Sequence, residues 1–409
     1  MSDKLAGLNR RDFMKLAGRY GLTSTLFAAS SLGGAVTLSS LAKAAESTYD
    51  KRFKNEAKHT LKFGAAGFNQ RNLLIERAGC LEFARDLEER TEGEIRVEFI
   101  GDNQICGQLA CAEKAQLGIV DIYAASTQNS AGSTPYLNIL DYAYMFPSRA
   151  AQYYFFFHPE SQRVLRDPME KRHGLKFLFT HCELRGIQLG LGWQDRPTVT
   201  KLEDIFGTKN RVTGTQLGRI AMQQLNLNPV PVAWEETLDG LKQGLIDGAE
   251  TWASAVAYAN MSPVVSQCVD LEFFCGTEHT AMSSKVFDSM EAHLQDAIME
   301  SAYLTQVHVQ AANEAALVKT VGYSDPQLPN TIFAKDNVRM AFLPADQKKM
   351  AEEMCSPEFQ PEPWAQWRER LNQWAGGIDT YTEIHRVARE IPAYLLPSIV
   401  ARGRWGRWA

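Results

Sequence analysis

The chain has 409 residues, a formal net charge of −5 at pH 7 and 45% hydrophobic residues. This length exceeds the ~250–300 residues at which single hydrophobic cores stop growing, so it predicts two lobes rather than one. The mildly acidic charge argues against a general attraction to nucleic acid or to anionic lipid.

The first 44 residues have the features of a twin-arginine export signal. Residues 9–15 read Asn-Arg-Arg-Asp-Phe-Met-Lys, a mildly apolar stretch covers 20–41, and Ala42-Lys43-Ala44 supplies small residues for cleavage. This order is typical of a cleaved signal peptide, and the serines and glycines in the stretch suit a bilayer span less well. We therefore expect a periplasmic protein, with an uncleaved membrane anchor as the alternative. Because such signals export folded proteins, a periplasmic cofactor enzyme is a second alternative.

Residues 60–125 alternate short apolar runs with helical patterns. Strands are predicted at 61–65, 94–99 and 119–125, with helices at 72–91 and 108–117 between them. This order is the opening of a doubly wound α/β sheet, whose ligands bind at the carboxyl ends of the strands. The residues at those ends are Phe68, Asn69, Asp102, Asn103, Ser126, Thr127 and Gln128.

A second α/β unit follows from residue 175. Strands are predicted at 175–179, at 187–191 and up to Val212, with a helix at 216–225. The prolines in 229–232 disfavour both a helix and a central strand there. The later chain is predicted to be helical over 286–320, 346–354 and 364–374.

The expected fold class is α/β, a two-lobed, type II-like periplasmic binding protein with a cleft between the lobes and long C-terminal helices. The predicted domains are the signal peptide at 1–44, the N-terminal part of lobe I at 45–150, the core of lobe II at 151–250, crossing helices that return to lobe I at 251–320, and a C-terminal helical region at 321–409.

Enzyme, metal and redox motifs are absent from the sequence. It lacks a G-x-S-x-G elbow, a G-x-x-x-x-G-K-[ST] phosphate loop and an H-E-x-x-H zinc motif, and its seven cysteines form no Cys-x-x-Cys pair. We therefore expect no cofactor and no catalysis. Cys106/Cys111 and Cys268/Cys275 are close enough to form disulfides, but buried free thiols fit the spacing equally well. Glu235-Glu236 is interpreted as solvated negative charge at a helix start.

Three ordered segments carry a family resemblance. They are 207–212 (GTKNRV), 228–236 (NPVPVAWEE) and 241–250 (LKQGLIDGAE), supported by 92–95, 116–121 and 140–146 upstream and by His279 and 284–287 downstream. Over residues 60–320 the chain resembles the DctP-type solute-binding proteins of tripartite ATP-independent periplasmic (TRAP) transporters. The resemblance implies a receptor that closes around a small organic anion and delivers it to TRAP membrane permease subunits driven by an ion gradient. A ligand-sensing subunit for a signalling receptor and either a monomer or a homodimer stay open.

The resemblance also implies a binding site. Arg211 matches the family's arginine that holds the ligand carboxylate, and Arg185 lies where relatives carry an assisting arginine. A structural salt bridge is the alternative role for Arg211. After Glu250 this chain has Thr251-Trp252 where many relatives have Asn-Pro, so a cleft rich in aromatic residues and a cyclic, aromatic or methylated ligand are expected, although each aromatic residue could instead be part of the core. The candidate ligand-binding residues are Arg211, Arg185, Trp252, Thr251, Glu250, Trp234, Phe68, Asn69, Ser126 and Asp102.

Overall fold

The computed structural model describes residues 53–68 and 78–405. The predicted signal peptide, Asn69 and the last four residues therefore lie outside the described residues. Within the described residues the chain divides into two compact units, one of residues 53–60 and 87–96 and the other of residues 61–68, 78–86 and 97–405. In the smaller unit, Lys54 pairs with Glu92 at 3.1 Å and Lys58 with Glu94 at 2.6 Å. All described candidate site residues belong to the larger unit.

Nine strands form one mixed sheet within the described residues, in the order β2-β1-β3-β8-β4-β7-β5-β6, with β9 pairing to β8. The strands are β1 His59–Ala65, β2 Ile95–Ile100, β3 Ile122–Ser126, β4 Leu175–Gly190, β5 Lys209–Val212, β6 Asn228–Pro231, β7 Gly248–Thr251, β8 Val265–Ser283 and β9 Arg339–Phe342.

The α-helices surround this sheet in chain order. They are α1 Cys80–Arg90, α2 Cys111–Gln116, α3 Thr127–Ser130, α4 Arg149–Phe157, α5 Asp167–His173, α6 Gln216–Gln224, α7 Thr237–Lys242, α8 Ala253–Tyr258, α9 Ser284–Asp288, α10 Ala292–Ala316, α11 Ile332–Lys335, α12 Ala345–Cys355, α13 Ala365–Trp374 and α14 Thr380–Ala388. Short 3₁₀ turns include Trp234–Glu236, and π-helical turns occur at Gln162–Arg166 and Leu317–Val321.

Two long antiparallel strands, β4 and β8, run through the centre of the sheet. β3 pairs with the later part of β8, whereas β7 pairs with the later part of β4. Helix α10 lies against β4, since Gln306 accepts the N–H of Thr180 at 3.3 Å and Asn313 donates to the carbonyl of Cys182 at 2.9 Å. Because neighbours flank both strands, nearly all of their residues are buried, polar ones included.

The register between β4 and β8 breaks beside Arg185. Arg185 is opposite Phe274, but Ile187 is opposite Val269, so four residues of β8 face Gly186 alone. A Cβ on Gly186 would come within 2.1 Å of the Val269 carbonyl, which explains the glycine. Glu272 adopts a left-handed φ of 52° within this bulge. The pairing of β4 with β8 is thus interrupted directly after Arg185.

The structure corrects several predicted elements. The strands predicted at 175–179 and 187–191 are one strand, β4. The later chain is not purely helical, because β9 pairs with β8 in parallel. The prediction that 229–232 is neither a helix nor a central strand agrees with β6, Asn228–Pro231, which lies at the end of the sheet. The predicted domain boundaries stay predictions.

The cysteine alternatives are resolved for both pairs. Cys106 and Cys111 form a disulfide across α2's start, with a Cα separation of 4.9 Å. Cys268 and Cys275 are not bridged. They are buried free thiols, as are Cys80, Cys182 and Cys355.

Candidate functional site

Arg211 lies near the end of β5, between β6 and β7, and only 1% of its surface is exposed. Its Nε donates to the Val232 carbonyl at 3.1 Å, Nη1 to the Glu250 carbonyl at 3.5 Å and Nη2 to Asn129 Oδ1 at 3.3 Å. All three acceptors are neutral. Among the described residues Arg211 therefore has hydrogen-bond partners but no direct carboxylate partner.

Arg185, on β4, which is separated from β5 by β7, is in the opposite situation. Its Nε and Nη2 contact both carboxylate oxygens of Glu250, with 2.8 Å between Nη2 and Oε2. Both side chains are 1% exposed. The remaining Nη1 donates to Gln128 Oε1 at 3.2 Å. Two-pronged pairing of this kind compensates the charge of Arg185 within the protein.

Electrostatics separate the two arginines further. Burial lowers the pKa of Arg211 to about 10, and although Glu250 raises it, Arg185 lowers it again. Arg211 stays protonated at neutral pH. It is therefore a buried cation, and no carboxylate contacts it directly within the described residues. Such a charge is costly unless an anion meets it.

A tryptophan lies beside each of the two arginines. Trp234 lies 5.2 Å from the guanidinium carbon of Arg211, and Trp252 lies 4.7 Å from that of Arg185. The Trp252 indole N–H is buried and has no hydrogen-bond partner. Gly276 leaves the room that both neighbours use, since a Cβ there would be 2.9 Å from Arg185 and 3.2 Å from Trp252.

Phe68, Tyr258 and Trp234 form an aromatic wall, and Tyr258 is the member that the sequence did not single out. Tyr258, at the end of α8, has its ring centroid 5.3 Å from Phe68 and 6.0 Å from Trp234. It is 9% exposed, and its hydroxyl makes no hydrogen bond within the described residues. Tyr258 thus joins Phe68 to Trp234.

Ser126 acts through the backbone and as a helix cap. Its N–H donates to Gln108 Oε1 at 2.8 Å, and its hydroxyl accepts the N–H of Asn129 at the start of α3. This short helix presents Gln128 to Arg185 and Asn129 to Arg211. Gln128 also donates to Asp141, whose pKa burial raises to about 7. A serine cap after a predicted strand was the available sequence signal for these neighbours.

The other predicted residues contribute less or cannot be placed. Thr251 is buried on β7, and its carbonyl accepts from Gln188 at 3.4 Å. Asp102 is exposed, and its backbone N–H donates to the Phe68 carbonyl. No hydrogen bond or ion pair links Asp102 to either arginine in the described part of the chain. Asn69 lies outside it.

Glu235 is more than the solvated helix-start charge predicted from the sequence. Its carboxylate accepts the backbone N–H of Gln108 at 3.2 Å, from a residue 127 positions earlier. Gly107 permits this approach, because a Cβ there would be 2.9 Å from Glu235 Oε1. Glu235 therefore ties the segment beside Trp234 to the start of α2.

Two further features bear on the class of protein. No helix in residues 53–68 or 78–405 is long and apolar enough to cross a membrane. Across the same ranges, no three His, Cys, Asp or Glu side chains are grouped as they would be to hold a metal ion.

The fold, a mixed sheet with two long central strands, is shared with solved periplasmic binding proteins. A TRAP periplasmic solute-binding protein from Ochrobactrum anthropi superposes with a TM-score of 0.65 at 18% identity, covering 82% of this chain and 96% of that one. DctPAm from Advenella mimigardefordensis, a sugar acid binding protein in complex with galactonate, gives 0.67 at 19% identity, covering 82% and 99%. This likeness establishes the two-lobed binding-protein fold that the sequence predicted.

Residues 69–322 match the family model of bacterial extracellular solute-binding protein, family 7 (DctP), and the chain belongs to this family. Its members are solute-binding receptors rather than enzymes, as the sequence predicted. YiaO of Escherichia coli K12, a 2,3-diketo-L-gulonate-binding periplasmic protein, is 25% identical over 230 residues, 53% of this chain and 64% of YiaO. YiiZ of Salmonella typhimurium, which is uncharacterized, is 25% identical over 189 residues, 44% and 54%. The chain thus spans 54% of the length of YiiZ and 64% of the length of YiaO, less than two thirds of either relative.

Proposed function

We propose that this protein is the extracytoplasmic receptor of a TRAP transporter and captures a small organic acid for ion-gradient-driven uptake. The observation that carries the proposal is Arg211, a buried cation whose neighbour Arg185 is already neutralised by Glu250. A carboxylate arriving at Arg211 would supply the missing anion.

The relatives support this class of ligand. DctPAm was solved with galactonate, and a TRAP solute-binding protein from Polaromonas with D-erythronate. YiaO binds 2,3-diketo-L-gulonate. Each of these ligands is a hydroxylated carboxylate, and we propose the same broad class here.

Calorimetry with Arg211→Lys tests the proposal directly. The protein is unfolded and refolded to remove any bound ligand, then titrated with D-galactonate, D-erythronate, orotate and pyroglutamate. Lysine keeps the charge but loses the planar fork, so we expect at least about 100-fold weaker binding of whichever acid binds. Arg166→Lys, at a buried arginine in π-helical turn Gln162–Arg166, is the matched control. Unchanged affinity in Arg211→Lys would refute the assignment.

We also propose export through the twin-arginine pathway, supported by the sequence of residues 9–15. Replacing both Arg10 and Arg11 with lysine should leave the protein in the cytoplasm. Efficient export of that double variant would argue against the pathway. Residues 1–44 as signal peptide, TRAP permease subunits as partners, and a monomer or homodimer belong to the same proposal, and light scattering of the purified protein distinguishes the last two.

A further inference from the structure

A buried carboxyl group lies on β8, in addition to that of Glu250, which pairs with Arg185. Glu278 is 3% exposed and is opposite Ser126 of β3 and His181 of β4. Its Oε1 accepts a hydrogen bond from Gln108 Nε2 at 3.2 Å, whereas its Oε2 is buried without a partner. Within the described residues no arginine or lysine forms an ion pair with Glu278.

The unpaired oxygen of Glu278 is a hydrogen-bond donor at neutral pH. Burial raises the pKa of Glu278 to about 8, although Gln108 and Arg185 lower it. The carboxyl is therefore mostly protonated at pH 7, and a protonated carboxyl carries one O–H. Since Oε1 accepts from Gln108, the proton belongs on Oε2, where no acceptor meets it. A buried donor that has no acceptor among the described residues calls for a further partner.

Gln108 holds this carboxyl in a fixed position. Its side-chain N–H groups donate to the Ala66 carbonyl and to Glu278, each at 3.2 Å, and its Oε1 accepts from Ser126 N–H at 2.8 Å. Its backbone N–H donates to Glu235. Gln108 also lies inside the six-residue ring segment closed by the disulfide between Cys106 and Cys111. Hydrogen bonds from both its side chain and its backbone therefore fix the position of Gln108.

Tyr258 connects Glu278 to the environment of Arg211. Burial and then the Glu278 carboxyl raise the pKa of Tyr258, whereas Arg211 lowers it, so both groups act on the same ring. The Tyr258 ring also contacts Trp234, which lies over Arg211. The ring of Tyr258 is therefore common to the surroundings of Arg211 and of Glu278.

We infer that Glu278, positioned by Gln108, is a second ligand-contacting residue that donates to a hydroxyl oxygen of the ligand. The ligand is then a hydroxylated carboxylic acid, with its carboxylate at Arg211 and a hydroxyl at Glu278. This inference rests on the proposed function and adds a specificity-determining residue to it. The wall of aromatic rings would contact the carbon chain between the two ends.

Matched ligand pairs test the inference on the wild-type protein. D-erythronate is compared with butyrate, and D-galactonate with hexanoate, because the members of each pair share chain length and carboxylate and differ in hydroxyl groups. We expect the hydroxylated member of the pair that fits to bind about 10- to 100-fold more tightly, as for one buried hydrogen bond to a polar group.

Two variants assign that preference to Glu278. Glu278→Gln keeps the shape and a donor, so it should retain most of the preference. Glu278→Leu removes the donor and should reduce the preference by about 10-fold or more, with little change in binding of the deoxy acid. Arg211→Lys should instead weaken both members of a pair alike. Thermal melts establish that each variant is folded, and if Glu278→Leu does not fold, the wild-type preference and Glu278→Gln decide.

The outcomes separate the inference from the function on which it rests. Equal wild-type affinity for both members of a pair, or an unchanged preference in folded Glu278→Leu, would overturn the role of Glu278 and leave the receptor assignment standing. Undiminished binding in Arg211→Lys would overturn the receptor site itself. If the wild-type protein binds none of D-erythronate, butyrate, D-galactonate and hexanoate, both proposals fail for this class of ligand.

Discussion

Arg211 and Arg166 are both buried without a direct carboxylate contact among the described residues, but their guanidinium groups have different surroundings. Arg166 is 3% exposed, and its guanidinium carbon lies 4.1 Å from the ring of Trp405 and 5.0 Å from that of Phe177. Its two Nη atoms donate to the carbonyls of Phe177 and Phe156, each at 3.1 Å. Burial lowers its pKa to about 9, compared with about 10 for Arg211.

The surroundings, rather than the arginine, distinguish the two regions. Two aromatic rings contact Arg166, and one of them, Trp405, comes from the C-terminal segment that Arg404 and Glu300 pin to α10. Arg211 has one ring beside it, and its hydrogen-bond partners are the amide of Asn129 and the backbone carbonyls of Val232 and Glu250. A cation covered by the chain's own aromatic residues is structural, whereas one set among polar groups suits an exchangeable ligand.

The largest expected effect comes from breaking the buried ion pair in the Arg211 region. Glu250→Gln removes the one carboxylate that contacts Arg185 within the described residues and leaves an uncompensated charge, so we expect a loss of about 3–5 kcal/mol in the free energy of unfolding. Glu300→Gln is the matched control, because the Arg404–Glu300 pair has side chains 37% and 29% exposed and should cost less than about 1 kcal/mol. Urea denaturation measures both. Similar losses in the two variants would contradict the distinction.

Replacing the two tryptophans should separate stability from binding. Trp405→Ala removes a ring that also contacts Phe157 and Tyr303, and we expect it to cost about 3 kcal/mol without changing ligand affinity. Trp234→Ala should cost somewhat less, because the residue is 7% exposed, but should weaken ligand binding about 10-fold or more. Denaturation and calorimetry on the same preparations give both quantities. Loss of affinity in Trp405→Ala would show that the two regions are coupled.

The smallest effect concerns pH and belongs to the Arg211 region alone. Asp141 is faced by Gln128 of α3, Thr215 before α6, Arg185 of β4 and Glu250 of β7, and its burial raises its pKa to about 7. The folded state therefore binds a proton that the unfolded state releases between about pH 4 and pH 7, so this group lowers stability as pH rises through that window. Asp141→Asn should flatten this decline.

The exposed Asp167 beside Arg166 supplies the control for that measurement, since Asp167→Asn alters charge next to the other buried arginine. Stability is measured by urea denaturation from pH 4 to pH 8. An Asp141→Asn curve parallel to that of the wild type would show that this carboxyl does not carry a proton in the folded protein.

The sequence predicted the strands that alternate clearly but missed β8. Val265–Ser283 includes Gln267, Asp270, Glu278 and His279, so it lacks the apolar run that identifies a central strand. Neighbouring strands and side chains supply partners for most of their polar atoms, and the exceptions within the described residues include Glu278 Oε2 and His279 Nδ1. Local periodicity contains no record of those partners, whereas the short strands near Arg211 carry glycines and apolar residues that do mark their ends.

The site shows the same limit at the level of single residues. Arg211, Arg185 and Glu250 were predicted from ordered motifs. Gln128 was predicted only as one of the residues at the carboxyl ends of strands, and Asn129 was not singled out, because the two meet the arginines across 57 and 82 residues of sequence. Gln108 and Glu278 are 170 residues apart. Polar residues acquire their roles here from tertiary contacts, and no spacing rule in one sequence connects positions so distant.

The five free cysteines have a consequence for the order of folding and oxidation. Burial raises the pKa of all five thiols, so in the folded protein they hold almost no thiolate, the form that attacks disulfides. Oxidation of the folded chain therefore yields one product, the bridge between Cys106 and Cys111. Oxidation of the unfolded chain would draw on seven reactive sulfurs, and most of the resulting crosslinks would be incompatible with β4 and β8 lying side by side.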